Sequence, residues 1–161
     1  MIPYGRQSVD DDDIAAVVQV LKGDWLTRGP AVEAFEQDLA AYCGARHAVA
    51  FANGTAALHG AVAAAGIGAG DVVATSALSF AASAACAAYV GATPTYVDID
   101  PATLNLDTSA VPDHAAALVA VHYAGLPVDL RSLNRRPRVL IEDAAQALGA
   151  HTPDGPVGNC A

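Results

Sequence analysis

Asp143 and Gln146 are the residues whose type and spacing point first to chemistry. The run Val139-Leu140-Ile141 is apolar and ends in Glu142-Asp143, and an amide follows at Gln146 among small residues. A buried strand that delivers acid groups to its exposed end has this pattern, and in an open α/β sheet ligands bind at the carboxyl ends of the strands. Spacing alone is equally satisfied by a strand terminator with a solvated Asp143. Gly54 and Thr55 form a second candidate, in the turn Asn53-Gly54-Thr55 between an apolar stretch and an alanine-rich one. Backbone N–H groups and a hydroxyl at a helix start suit a phosphate, although Asn-Gly also serves as a plain turn. Phe80 opens another alanine-rich stretch, where its ring can lie against a planar ligand or pack into a core.

The elements that must position these residues alternate along the chain. Strands are expected at Ala48–Ala52, Asp71–Thr75, Thr93 onward, Leu118–Tyr123 and Val139–Asp143. Helices are expected at Ala56–Ala65 and from Phe80 to Val90, with a short helical connection after Asp129. Ser8-Val9-Asp10-Asp11 resembles a capping box, and Ile14, Val17, Val18 and Leu21 recur at helical spacing until Gly23. The acids Asp10 to Asp13 then complement the helix dipole. Trp25–Pro30 reads as a loop in which Trp25 packs. A second helix carries Val32, Phe35, Leu39 and Tyr42 to its end at Gly44. No further element is expected after Gly149. The result is an α/β domain with a mainly parallel sheet and helices on both faces, behind a helical segment over residues 1–45.

Composition narrows the function. Seventeen acids against eight bases give a formal charge of −9, which argues against nucleic acid. No apolar run reaches the length of a membrane span, and the N-terminus lacks a leader pattern, so a cytoplasmic protein is expected. Cys43, Cys86 and Cys160 are odd in number and unpaired in spacing, as reduced, buried thiols would be. The five histidines show no metal-ligand spacing. His122, at a strand end, reads as a structural histidine. Gly66-Ile67-Gly68-Ala69-Gly70-Asp71 is not a dinucleotide fingerprint, because Asp71 replaces the third glycine and a strand follows the stretch instead of preceding it. Neither G-x-S-x-G nor a true G-x-G-x-x-G is present, against a hydrolase or dehydrogenase.

Asn53-Gly54-Thr55-Ala56-Ala57-Leu58, Ser79-Phe80-Ala81-Ala82-Ser83-Ala84, Val97-Asp98-Ile99-Asp100-Pro101-Ala102-Thr103-Leu104-Asn105 and Glu142-Asp143-Ala144-Ala145-Gln146-Ala147 resemble, in order, the signatures of the DegT/DnrJ/EryC1/StrS sugar aminotransferases. The resemblance implies fold type I and dependence on pyridoxal 5′-phosphate (PLP). It implies Gly54 and Thr55 at the phosphate, Phe80 beside the pyridine ring, Asp143 at the pyridine nitrogen and Gln146 near the ring hydroxyl. Ile2–Gln7, Asp24–Pro30 and His122-Tyr123-Ala124-Gly125 are similar to the pseudaminic-acid branch. The family resemblance also implies that Tyr4, Leu26 and Thr27 line a nucleotide-sugar site, and that the complete enzyme is a homodimer that moves an amino group from an amino acid, typically glutamate, to a nucleotide-linked keto sugar.

The only lysine is Lys22, ahead of every sheet motif. A transaminase needs a lysine to form a Schiff base and shuttle a proton. The expectation is therefore the N-terminal part of a transaminase, with residues 46–161 as a partial large domain, the small domain absent and no catalytic residue within the chain. The alternative is an inactive fragment or ligand-binding module.

Overall fold

The computed structural model describes residues 7–159. Its centre is a four-stranded parallel sheet in the order β2-β1-β3-β4, formed by β1 (Val72–Ser76), β2 (Thr93–Val97), β3 (Ala117–Val121) and β4 (Val139–Asp143). β1 and β3 are almost wholly buried, and their Val-Val-Ala-Thr-Ser and Ala-Leu-Val-Ala-Val sequences are the near-continuous apolar runs that a strand covered on both faces requires.

Strand order dictates which face each connection covers. The chain moves from β1 outward to β2, then back across β1 to β3 and on to β4. Parallel crossovers are right-handed, so connections that travel in opposite directions run over opposite faces. The core divides accordingly. On one face Leu58 and Val62 of α3 (Gly54–Ala64), and Ala82, Cys86 and Ala87 of α4 (Ala81–Tyr89), pack on Val73, Ala117 and Val119. On the other face Ala74, Leu118 and Ala120 meet Val97, Leu106, Ala115 and Val128, with Leu130, Leu133 and Leu140 at the margin.

No α-helix contributes to the second core among the described residues, so helices do not flank both faces as expected. The β2–β3 and β3–β4 connections are interrupted by Pro101, Pro112, Pro127 and Pro137, and they form only one-turn 3-10 segments at Thr108–Ala110, Tyr123–Gly125 and Leu130–Ser132.

Two further helices come before α3. Helix α1 (Asp11–Lys22) is capped by Asp10, whose carboxylate accepts from the Asp12 and Asp13 N–H groups while the Asp13 carboxylate accepts from the Asp10 N–H, each at 3.0 Å. The capping box therefore falls two residues beyond Ser8, because Asp13 stands three residues after Asp10 and can return the bond. Helix α2 (Pro30–Cys43) has Pro at its first position and ends on Gly44 in the left-handed conformation, φ 68°. Helix α1 buries none of its residues. Trp25 is likewise exposed, contrary to the expectation that it packs, because its loop follows a helix that does not dock.

Ala48–Ala52 is unpaired, not a strand. A strand exists only by hydrogen bonding to a neighbour; here the Ala50 N–H donates instead to Glu36 Oε1 at 2.7 Å. A small antiparallel hairpin of β5 (His151–Thr152) and β6 (Gly155–Pro156) follows the sheet, where no element was expected. Pro153-Asp154-Gly155 supplies its turn, and Thr152 Oγ1 accepts the Asp154 N–H and donates to the Gly155 carbonyl.

Candidate functional site

Asp143 closes β4 opposite Val121, the last residue of β3, so it stands at the carboxyl edge of the sheet. The order reverses between β1 and β3, and a ligand crevice is expected outside the strand ends at such a reversal. The strand alternation aims Asp143 toward the face that carries α3 and α4, the same side as Ile141 and Val139.

The Asp143 carboxylate is held from two directions. Ser83 Oγ, on α4 and fully buried, donates to Oδ2 at 2.9 Å. The Ala145 N–H donates to Oδ1 at 3.4 Å. One turn beyond Ser83, Cys86 is fully buried and its thiol sits above the ordinary value of 9.0, mainly through burial, with the Asp143 charge adding to the effect. Asp143 is thus a fixed acceptor and not a freely rotating surface acid.

Both helix starts lie at this edge, because α3 leads into β1 and α4 follows it, so each runs back against the strands. In α3, Asn53 is the N-cap and accepts the Ala56 N–H at 2.9 Å. That cap leaves the N–H groups of Gly54 and Thr55 among the orphan donors of the first turn. A Cβ built at Gly54 would meet nothing within 4 Å, so the approach to these donors is open.

Phe80 is the N-cap residue of α4 and 73% exposed, which decides against core packing. The loop before it is fixed by Ser76 Oγ, which accepts the Leu78 N–H, and by Ser79 Oγ, which donates to the Ser76 carbonyl. Gln146 is exposed in the turn after β4, and its carbonyl lies where a Cβ on Gly125 would come to 2.9 Å.

Gly54, Thr55, Phe80, Asp143 and Gln146 therefore share one edge. Leu26 and Thr27 are exposed in the α1–α2 loop, and α1 does not anchor that loop on the sheet. Tyr4 lies outside the described residues.

A second polar group sits on the opposite face. His122 is 1% exposed; its Nδ1 accepts the Val128 N–H at 3.1 Å, which leaves the proton on Nε2, 3.4 Å from Glu142 Oε1. This pair bounds the β3–β4 loop, where Asn105 also accepts the Tyr123 N–H and donates to the Leu126 carbonyl. The histidine is structural, as its strand-end position suggested. A cavity of about 420 Å³ lies on this side, lined in part by Arg131, Glu142, His151 and Asp154, away from the face that Asp143 addresses. The turn Gly66–Asp71 has no ligand geometry: Asp71 Oδ2 accepts the Gly68 N–H and closes it. Among the described residues no cluster of His, Cys, Asp and Glu could hold a metal, and no helix is long and apolar enough to cross a membrane.

Sequence reading missed Ser83. The signal that could have found it is its position one turn into the helix opened by Phe80, on the buried side of an otherwise apolar alanine helix. A hydroxyl there needs a partner.

Residues 7–161 match the DegT/DnrJ/EryC1/StrS aminotransferase family. The chain belongs to that family. PLP is the cofactor of that family, and the fold is the α/β core of the fold type I enzymes. The spore coat polysaccharide biosynthesis protein SpsC of Bacillus subtilis is 39% identical over 155 residues, which cover 91% of this chain and 40% of SpsC. Among solved structures, DesV of S. venezuelae superposes with a TM-score of 0.82 at 37% identity, over 90% of this chain and 41% of DesV. PseC of Helicobacter pylori, an aminotransferase of pseudaminic acid biosynthesis, superposes with a TM-score of 0.86 at 28% identity, over 97% and 44%. The chain thus spans less than half the length of each of these relatives.

Proposed function

We propose that the carboxyl edge of the sheet holds PLP for a sugar aminotransferase that moves an amino group from an amino acid, glutamate by preference, to a nucleotide-linked 4-keto sugar. The observation that carries this reading is the convergence of a held carboxylate, an open helix start and an exposed aromatic ring on one sheet edge. The residues fit the cofactor. The Gly54 and Thr55 N–H groups and the Thr55 hydroxyl would bind its phosphate, aided by the positive end of α3. Phe80 would cover one face of the ring and keep water from it. Asp143 would hold the proton on the ring nitrogen, and the Gln146 amide would orient the ring hydroxyl. When bound, the cofactor supplies a sink for the electrons released as a substrate Cα–H bond breaks.

The finer reading places the protein in pseudaminic acid synthesis, supported by the motifs Asp24–Pro30 and His122–Gly125 and by the likeness to PseC. In it Leu26 and Thr27, with Tyr4, contact the nucleotide sugar, and residues 1–45 form a segment distinct from the cofactor-holding portion 46–161. The exposed apolar side chains of Ile14, Val17 and Leu21 on α1 and of Phe35 on α2 support a homodimer. The buried thiols Cys43 and Cys86, unpaired with each other, support a cytoplasmic setting. The single lysine, Lys22, ends the exposed helix α1, so this chain is assigned the groups that hold the cofactor and no amine for catalysis. A purely cofactor-binding module is the second reading, favoured by that placement of Lys22.

Pyridoxamine 5′-phosphate carries no aldehyde to react with Lys22 and is the appropriate probe. Calorimetric titration should show binding that inorganic phosphate competes away and that Thr55→Val and Asp143→Ala each weaken at least tenfold. Binding indifferent to both substitutions would overturn the assignment. Borohydride treatment after addition of PLP should leave no adduct at the Asp143 edge; one found there would contradict the placement of the amine.

A further inference from the structure

Resting on the cofactor reading above, we infer that Ser83 is a positioning residue for the cofactor: its hydroxyl fixes the Asp143 carboxylate in the orientation that faces the ring nitrogen. Ser83 is separated from Asp143 by 60 residues of sequence, yet its Oγ lies 2.9 Å from Oδ2. It is completely buried in a helix whose other buried residues are Ala82, Ala84, Cys86 and Ala87. A serine in that setting loses helix propensity relative to alanine and must satisfy its hydroxyl. The bond to Asp143 does so, at an ordinary hydroxyl-to-carboxylate distance.

The geometry has a specific consequence. With Oδ2 engaged by Ser83 and Oδ1 met only by the longer Ala145 contact at 3.4 Å, Oδ1 keeps acceptor capacity for an incoming N–H. Ser83 sits one helical turn after Phe80, so the same α4 turn that presents the aromatic ring also sets the carboxylate. Ring plane and ring nitrogen are then located by one rigid element packed on the sheet. A catalytic group held loosely loses much of its effect, and supporting hydrogen bonds of this kind restrict it.

The test uses pyridoxamine 5′-phosphate labelled with 15N in the ring, bound to the full chain, with Ser83→Ala, Ser83→Thr, Ser83→Cys and Asp143→Asn compared with the wild type. The ring-nitrogen chemical shift reports protonation. Ser83→Ala should move it toward the unprotonated pyridine value and weaken binding roughly tenfold. Ser83→Thr, which keeps the hydroxyl, should restore both. Ser83→Cys, close in size but a weak donor, should fall between and guards against a folding defect in the alanine variant. Thermal unfolding run in parallel identifies a purely packing role, which would lower the melting temperature and leave the ring nitrogen unmoved. If Asp143→Asn shifts the nitrogen and Ser83→Ala does not, the positioning role is wrong and the cofactor site stands. If Asp143→Asn also leaves it unmoved, the assignment of Asp143 fails and takes the role of Ser83 with it.

Discussion

Gly125→Ala tests the brace behind the turn that follows β4. Gly125 has φ 87°, and a Cβ there would lie 2.9 Å from the Gln146 carbonyl oxygen, a backbone atom that cannot rotate away. Two costs follow. The left-handed conformation costs an alanine about 1–2 kcal/mol. Displacing the apposed backbone adds about 1–3 kcal/mol, the usual range for overpacking. Gly70→Ala isolates the first cost, since Gly70 has φ 92° and a Cβ there would meet nothing within 4 Å. The entropy that alanine removes from the unfolded chain is common to both and cancels in the comparison. With a urea m-value of about 2 kcal/mol/M, Gly70→Ala should lower the midpoint by roughly 0.5–1 M and Gly125→Ala by roughly 1–2.5 M. Gly125→Ala should in addition weaken pyridoxamine 5′-phosphate, because relief of the clash pushes the Asp143–Gln146 turn; Gly70→Ala should not. Equal midpoints for the two variants, at unchanged m, would refute the apposition of Gly125 and Gln146.

Other consequences concern the core and the helix start. Leu118→Ala should cost about 3–5 kcal/mol by chemical denaturation, since Leu118 is fully buried in the middle of β3 and its neighbours in the proline-interrupted face can close the cavity only in part. Asn53→Ala should cost about 1 kcal/mol through loss of the α3 cap, with Asn53→Asp recovering most of the stability while weakening a phosphate ligand by charge repulsion; calorimetry separates the two effects. The raised Cys86 thiol stays protonated in the folded chain after its unfolded counterpart ionises, so its contribution is complete below the ordinary value of 9.0 and declines as the pH rises above it. The stability difference between wild type and Cys86→Ala should therefore shrink from about pH 9 upward, measured by urea titration across pH 7–10.5; a constant difference would show that the thiol is not perturbed.

Local pattern made the sheet legible. The apolar runs of β1 and β3 required burial on both faces, whereas β4, expected as a buried strand on the same kind of run, is the half-buried edge of the sheet, and α3 and α4 followed from the alanine-rich stretches Ala56–Ala65 and Phe80–Val90. What stayed hidden depended on partners distant in sequence. Ala48–Ala52 has a strand's composition, but pairing is a property of the neighbour, and Glu36 takes the Ala50 N–H instead. Helices on the second face were inferred from alternation alone, whereas the prolines of the β2–β3 and β3–β4 connections already limited those stretches to single turns. In the site, residue type marked Asp143, Phe80 and Gly54, while the bond from Ser83 across 60 residues needed the packed helix to become visible. Leu26 and Thr27 were singled out by resemblance, and no packing in their own loop assigns them a role.

Backbone amide shifts of the 15N-labelled chain, recorded as pyridoxamine 5′-phosphate is added, test the central claim most directly. The account predicts saturable shifts at Gly54, Thr55 and Ala56, at Phe80 and Ala81, and across Ala144–Gln146, with Asp143→Asn abolishing those at the β4 end. Shifts gathered instead at Arg131, His151 and Asp154, around the 420 Å³ cavity on the opposite face, would contradict it.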